Sequence, residues 1–143
     1  MTPGARVAAH IDILEAILSG VPAEKALTNW ARGNRFAGSK DRAAVRDLAF
    51  QALRCRRSAG AWPEPQSARA WAIGALRANG SDPNEFFTGI AHAPAALQAE
   101  DVASLPTDRD RLDLQDWVID RLTKEYGAAK TAEIGAVLRH RAP

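Results

Sequence analysis

Residues 38–54 have the sequence GSKDRAAVRDLAFQALR, and this stretch predicts the fold of the chain most directly. Its apolar side chains recur at helical spacing, so that one face would be buried: Val45, Leu48, Ala49, Ala52 and Leu53. Ser39 is a residue type that caps helix N-termini well. The stretch therefore predicts an amphipathic helix that is capped by Ser39 and carries arginines beside its buried face.

Helical periodicity continues on both sides of this stretch. Thr2-Pro3 predicts the start of a first helix that ends at Ser19-Gly20, and Pro22 predicts a second that buries Trp30. A fourth helix is predicted from about Ser67 to Asn79-Gly80, and a short one from Asp82-Pro83. Residues 91–110 predict a surface loop with a short helix near Ala99.

Two further helices are predicted near the C-terminus, separated at Gly127. The first would turn these side chains inward: Leu114, Trp117, Val118, Leu122 and Tyr126. The second carries Ile134, Val137 and Leu138 and ends at Ala142-Pro143. The chain is therefore predicted to be all-α, with about seven helices.

Composition limits the class of protein. The 143 residues are 46% hydrophobic and 25% charged, which is ordinary for a globular chain long enough to bury one sizeable core. No apolar run approaches the roughly 18 residues that a membrane span requires, so no membrane partner is predicted. The single cysteine, Cys55, excludes an internal disulfide. We expect a cytoplasmic protein.

Charge is distributed unevenly. Residues 32–57 hold eight basic and two acidic residues, a net charge of +6, whereas residues 82–125 hold ten acidic and four basic ones, a net charge of −6. Clustered cations on a loop and a helix are typical of a contact with a polyanion, here RNA. Arg42, Arg46 and Arg57 are predicted to share one flank of the central helix. The candidate RNA-binding residues are Arg32, Arg35, Lys40, Arg42, Arg46, Arg54, Arg56 and Arg57.

Three segments resemble a known family. The first is the opening helix, and the second is residues 38–54, similar to a helix with an Asp-Arg start and a Leu-Arg end. The third runs from Trp117 through Tyr126-Gly127 to Ala142-Pro143, similar to a connector before a catalytic core. Together they resemble the NusB-like N-terminal domain of bacterial rRNA cytosine-C5 methyltransferases, the RsmB (Sun/Fmu) family.

The resemblance implies a NusB-like bundle, with an RNA-binding domain at 1–112 and a helical connector at 113–143. It implies that ribosomal RNA is the partner, together with the parent's own methyltransferase domain. That domain, absent from these 143 residues, would bind S-adenosylmethionine, so no cofactor is predicted in this chain. Two alternatives remain: a stand-alone NusB-like transcription antitermination factor, and a helical docking domain without RNA contact.

No catalytic residue and no metal site are predicted. Arginines flank Cys55 and could lower its thiol pKa, but no second catalytic group accompanies it. His10 is predicted to be partly buried, and His92 and His140 to be solvated. The acidic set Asp108, Asp110, Asp113 and Asp116 lacks the glycine and glutamate of a calcium loop. Trp117 is predicted to be core and Trp62 exposed, whereas Trp30 could pack or stack on a base.

Overall fold

A computed structural model describes residues 1–101 and 105–143 of the chain. In this part six α-helices follow one another: α1 Pro3–Leu18, α2 Ala23–Gly33, α3 Ser39–Arg54, α4 Ala68–Ala78, α5 Asp116–Tyr126 and α6 Ala128–Arg139. Single 3-10 turns lie at Pro83–Glu85, Ala99–Asp101 and Asp110–Leu112. The described residues contain no strand, which confirms the all-α prediction for them. Part of the predicted surface loop, residues 102–104, lies outside the described residues.

Local signals set most helix ends. The Thr2 hydroxyl accepts a hydrogen bond from the Ala5 amide at 3.1 Å, and Ser67 caps α4 in the same way. The predicted cap at Ser39 is wrong by one residue. Gly38 occupies the capping position, and its carbonyl accepts from the Arg42 amide at 3.0 Å. Because glycine has no side chain, no side-chain oxygen caps the first turn of α3.

The core surrounds α1, which packs against α2, α3 and α4. Its side chains enter three buried clusters, represented by Leu14 beside Trp71, Ile13 beside Val45, and Val7 beside Ile73. The Trp71 indole N–H donates to the Ala52 carbonyl at 3.1 Å, so this large side chain is buried without an unpaired polar atom. Burial of apolar area on several sides of α1 stabilises this part of the fold.

A close backbone approach holds the segment after α3 against α4. A Cβ atom added at Gly74 would stand 1.9 Å from the carbonyl oxygen of Ala59, closer than any side chain permits. Ala59 and Ala61 are themselves buried. Glycine is therefore required at position 74 for the turn after α3 to lie directly on α4.

Helices α5 and α6 form a hairpin at Gly127, whose φ of +83° favours glycine. Ile119 of α5 and Thr131 of α6 are among its few buried side chains. The prediction that Trp117 and Tyr126 point inward is wrong, because they are 69% and 58% exposed. The hairpin packs mainly on itself, so α5 has too few neighbours to bury its whole apolar stripe.

Charged side chains attach this hairpin to the rest of the protein. Asp113 accepts hydrogen bonds from the Ser58 amide and hydroxyl, both at 2.7 Å, and pairs with Arg139 at 3.0 Å. Arg57 pairs with Asp110 and Asp116, each at 2.9 Å. The contacts of Ser58 with Asp113 and of Arg57 with Asp116 join residues on either side of the predicted 112/113 boundary, and the two-part division stays a prediction. Within the described ranges no helix has the length and apolar character needed to cross a membrane.

Candidate nucleic-acid interface

Four of the eight predicted RNA-binding residues lie where α2 gives way to α3. Arg32 is in the last turn of α2, Arg35 is in the connecting loop, and Lys40 and Arg42 are in the first turn of α3. We call this surface, formed by Arg32, Arg35, Lys40 and Arg42, the cationic corner. All four side chains are exposed. Among residues 1–101 and 105–143, no carboxylate forms an ion pair with any of them.

Hydrogen bonds hold the loop of the corner in place. The Asn34 side-chain amide donates to the Trp30 carbonyl at 2.8 Å and closes the end of α2. The Ala37 amide donates to the Asn34 carbonyl at 3.0 Å, and Arg42 Nε donates to the Ala37 carbonyl at the same distance. Arg42 therefore both shapes the loop and contributes charge, whereas the described residues hold neither Arg35 nor Lys40 by a hydrogen bond.

The one acidic residue of the corner, Asp41, is engaged elsewhere. Its carboxylate pairs with Arg6 at 2.8 Å and lies 3.5 Å from the N-terminal ammonium of Met1. The hydrogen bond from Arg6, followed by the charge of the N-terminus, lowers the pKa of Asp41. Because Arg6 and the N-terminal ammonium neutralise Asp41, it cancels little of the positive charge of the cationic corner.

Arg46 lies next to the corner but has a carboxylate partner. It shares a shallow groove between α2 and α3 with Arg42, as the sequence predicts for a common flank. Its guanidinium makes a two-pronged pair with Glu24, with Nη1 to Oε2 at 2.8 Å, and lies over the Phe50 ring at 4.9 Å. This hydrogen-bonded pair lowers the pKa of Glu24. Both partners are exposed, so the pair exchanges easily with solvent.

Arg57 does not continue the flank of Arg42 and Arg46, and that prediction is wrong. Helix α3 ends at Arg54, and the chain then turns. The Arg57 side chain is only 12% exposed and is surrounded by Asp110, Asp116 and the Leu114 carbonyl, the last at 3.0 Å. Arg57 therefore meets the acidic segment of its own chain.

Arg54 and Arg56 are also occupied by contacts within the fold. Arg54 Nε donates to the Arg139 carbonyl at 3.1 Å, which holds α3 to the end of α6. Arg56 Nε donates to the Ala61 carbonyl at 3.0 Å, and its guanidinium lies over the Trp71 ring at 5.1 Å. Both side chains are half-buried. The C-terminal part of the basic run thus contributes mainly to the fold.

Cys55 is buried, and the expected effect of its arginine neighbours is absent. Burial, followed by the charge of Asp113, raises the pKa of its thiol to about 11. A protonated thiol without access to solvent is a poor nucleophile. The thiol packs in the core beside Trp71.

The three histidines differ in environment. His92 and His140 are exposed, as predicted. His10 is more deeply buried than predicted, being 1% exposed, and neither ring nitrogen has a hydrogen-bond partner among the described residues. Burial lowers its pKa to about 4.

A cleft of about 630 Å³ opens beside the cationic corner. One wall is α1, where small side chains such as Ala5 and Ala9 leave room. The other carries the aromatic rings of Trp30 and Phe36, and Phe36 is 74% exposed. The sequence prediction for Trp30 left packing and base stacking open. Trp30 packs against the Ile13–Val45 cluster, which confirms packing, and it also lines the cleft. Base stacking on Trp30 stays a prediction.

Asp12 and Phe36 are two cleft residues to which the sequence analysis assigned no role. The Asp12 carboxylate lines the cleft, and its pKa is raised by partial burial and by the neighbouring charge of Glu15. Nothing in the sequence marks Asp12 as a cleft residue, because a single carboxylate near an alanine-rich helix face is common. Phe36 could have been recognised, because a large aromatic side chain in a loop of glycine, asparagine and arginine does not fit the periodicity of a core.

Comparisons with protein-family models, with curated proteins and with solved structures gave no match to this chain. The resemblance to the N-terminal domain of rRNA cytosine-C5 methyltransferases therefore stays a prediction.

Proposed function

We propose that this chain is an RNA-binding helical domain, a NusB-like bundle that positions ribosomal RNA for a cytosine-C5 methyltransferase domain. The observation that supports RNA binding is the cationic corner, where four exposed cations lack carboxylate partners among the described residues. The first turn of α3, which carries no side-chain cap, adds amide groups that favour an anion. Such a surface would bind the phosphate backbone and read little sequence.

The site is smaller than the sequence predicts. Arg32, Arg35, Lys40 and Arg42 form its centre, and Arg46 can join when its exposed pair with Glu24 opens. Arg54, Arg56 and Arg57 belong to a second group that serves the fold. The methyltransferase context rests on the sequence resemblance alone. We expect this chain to bind no S-adenosylmethionine. A saturable heat signal in a calorimetric titration with that cofactor would contradict the proposal that this chain is only the RNA-binding domain.

RNA binding is tested by removing charge that the fold does not use. The double variant Arg35→Ala/Lys40→Ala should weaken binding to a single-stranded rRNA fragment about tenfold at low salt and flatten its salt dependence. The matched control is Arg121→Ala/Lys124→Ala, which removes the same charge from exposed positions on α5. Fluorescence anisotropy across a salt series measures both, and circular dichroism checks the fold. Equal affinity in the two double variants would remove the cationic corner from the mechanism.

Docking on a protein is a second candidate, favoured by the exposed apolar side chains of the hairpin. Trp117, Tyr126, Val137 and Leu138 are each more than half exposed. This surface fits the alternative of a helical domain that docks on a methyltransferase core, and it does not exclude RNA binding elsewhere. Val137→Ser/Leu138→Ser should reduce co-sedimentation with such a core domain, whereas Leu105→Ser, exposed outside the hairpin, should not.

The stand-alone antitermination factor remains an alternative, because it would use RNA contact of the same kind. A methylation assay distinguishes the antitermination factor from the methyltransferase domain. If this chain raises the rate at which a cytosine-C5 methyltransferase core modifies rRNA, the methyltransferase context is supported. If it has no effect there but promotes read-through of a terminator, the alternative is favoured.

A further inference from the structure

We propose that the cleft between α1 and the α2–α3 loop holds one unpaired nucleobase of the bound RNA, with guanine preferred. The inference rests on the proposed RNA-binding function and adds a base-reading site to its phosphate-binding surface. It is carried by three features of the described residues: the aromatic wall, the carboxylate inside the cleft, and the cations that flank it.

The aromatic wall supplies a stacking surface. Trp30 and Phe36 both line the cleft, and Phe36 is 74% exposed although it is a large apolar side chain. Leaving such a ring in solvent costs hydrophobic free energy, which a stacked base would recover. The opposing wall of α1 contributes alanines, so the space between the walls is not filled by protein.

The carboxylate supplies selectivity. Asp12 lines the cleft and is exposed, and it receives no hydrogen bond from the described residues, so its carboxylate is available to a ligand. An ionised carboxylate only accepts hydrogen bonds, and aspartate accepts from the amino groups of bases. Guanine presents two parallel N–H donors on its Watson–Crick edge, which match the two carboxylate oxygens. Uracil presents one donor between two acceptors, and these acceptors would repel the carboxylate.

The cations that flank the cleft favour a nucleic acid over an organic cation as its ligand. Arg35 is exposed between Asn34 and Phe36, both of which line the cleft. Arg32 follows Trp30 by two residues in the last turn of α2, so it lies on a different side of that helix and adds only to the general positive charge. A base that enters the cleft would leave its phosphates beside the Arg35 guanidinium. An organic cation would suit the aromatic rings and Asp12, but it would be repelled by these arginines.

The experiment uses roughly nine-nucleotide single-stranded RNAs that differ only at the central position, within the site size of single-strand binders. Guanine, uracil and an abasic ribose are compared by fluorescence anisotropy at low salt. We expect guanine to bind about tenfold more tightly than the abasic RNA and more tightly than uracil. Phe36→Ala should abolish the gain over abasic RNA, and Asp12→Asn should abolish the preference for guanine over uracil.

Matched controls separate the cleft from general electrostatics. Glu15→Gln removes the same charge as Asp12→Asn one turn away on α1, and it should keep the preference for guanine. Tyr126→Ala removes an exposed aromatic ring from α5 and should keep the gain over abasic RNA. Both controls leave the cleft lining unchanged. Loss of the Glu15 charge also favours the ionised form of Asp12, so a loss of the guanine preference in Glu15→Gln would contradict the role given to Asp12.

Each outcome has a definite meaning. If all three RNAs bind equally and binding still depends on Arg35 and Lys40, the base site is wrong and the proposed function stands. If none of the RNAs binds, both are wrong. If tetramethylammonium competes with the guanine RNA for the wild-type protein and not for Phe36→Ala, the cleft binds an organic cation and the base site is overturned.

Discussion

The helices α1–α4 and the hairpin α5–α6 are held together by different forces. In the first region three clusters of buried side chains meet around α1, and Trp71 is 1% exposed. In the second, few side chains are buried, and Trp117 is 69% exposed. Both tryptophans lie on amphipathic helices. The difference teaches that an apolar stripe is buried only where the rest of the chain supplies a neighbour for it.

The largest expected effect separates the two tryptophans. Trp71→Ala should lower the free energy of unfolding by about 3–5 kcal/mol, because it leaves a cavity among close-packed neighbours and removes the indole hydrogen bond to the Ala52 carbonyl. Trp117→Ala should change it by less than about 0.5 kcal/mol, since the indole is largely in solvent. Urea denaturation measures both variants. Equal losses would mean that the hairpin contributes a core of its own.

His10 should make the core region sensitive to mild acid. Its folded-state pKa of about 4 lies below the ordinary value of 6.5. Between these pH values His10 is protonated in the unfolded chain but not in the folded chain, so the free energy of unfolding falls as the pH is lowered. Well above pH 6.5 the effect vanishes. From about pH 7.5 to pH 5 the wild type should lose about 2 kcal/mol relative to His10→Leu.

Thermal unfolding at a series of pH values tests this difference. His140→Leu, at an exposed position after α6, is the control and should follow the wild type. A constant gap between wild type and His10→Leu over this pH range would show that His10 is hydrated in the folded protein.

A smaller effect distinguishes how the hairpin is attached. Arg57→Ala removes the pairs with Asp110 and Asp116, which lower the pKa values of these carboxylates. We expect a loss of about 1 kcal/mol, concentrated in α5 and α6. Hydrogen exchange by mass spectrometry should show faster exchange there than in α1–α4. About 1 M NaCl should act in the same direction on the wild type but more weakly, because Asp116 is exposed whereas the Arg57 side chain is largely buried.

Arg121→Ala provides the comparison for the charge effect. It breaks an exposed pair with Glu125 within α5, and a loss below about 0.5 kcal/mol is expected. If Arg57→Ala changes exchange uniformly along the chain, the hairpin unfolds together with the core, and the division into two kinds of attachment is wrong.

Sequence patterns predict the positions of the helices well, but they predict the burial and contacts of individual side chains less well. Thr2-Pro3 and Gly127 mark helix boundaries because capping and positive φ are local properties of a few residues. Helix α3 begins at Ser39, close to its predicted start, which brings Lys40 and Arg42 to the start of a helix as expected. It ends at Arg54, short of the predicted extension to Arg57. The thiol pKa of Cys55 is raised and not lowered, because burial is its main cause. The arginines that are adjacent to Cys55 in sequence form contacts elsewhere in the fold.

The candidate site shows the same division. Its cations could be predicted from the sequence, because they are close together along the chain: Arg32, Arg35, Lys40 and Arg42. Arg57 was included by proximity in sequence, yet it meets carboxylates more than fifty residues away along the chain. The cleft was not predicted, because it needs α1 and the α2–α3 loop to face each other.

By itself the sequence determined that this protein is helical, where most of its helices begin and end, and that its positive charge gathers around α2 and α3. These properties depend on interactions within one or two helical turns. Only the tertiary structure decided which arginines form no ion pair within residues 1–101 and 105–143, which tryptophan is buried, and that Asp12 shares a cleft with Trp30 and Phe36. Those outcomes depend on distances between residues far apart in the chain, which packing and charge pairing set when the helices assemble.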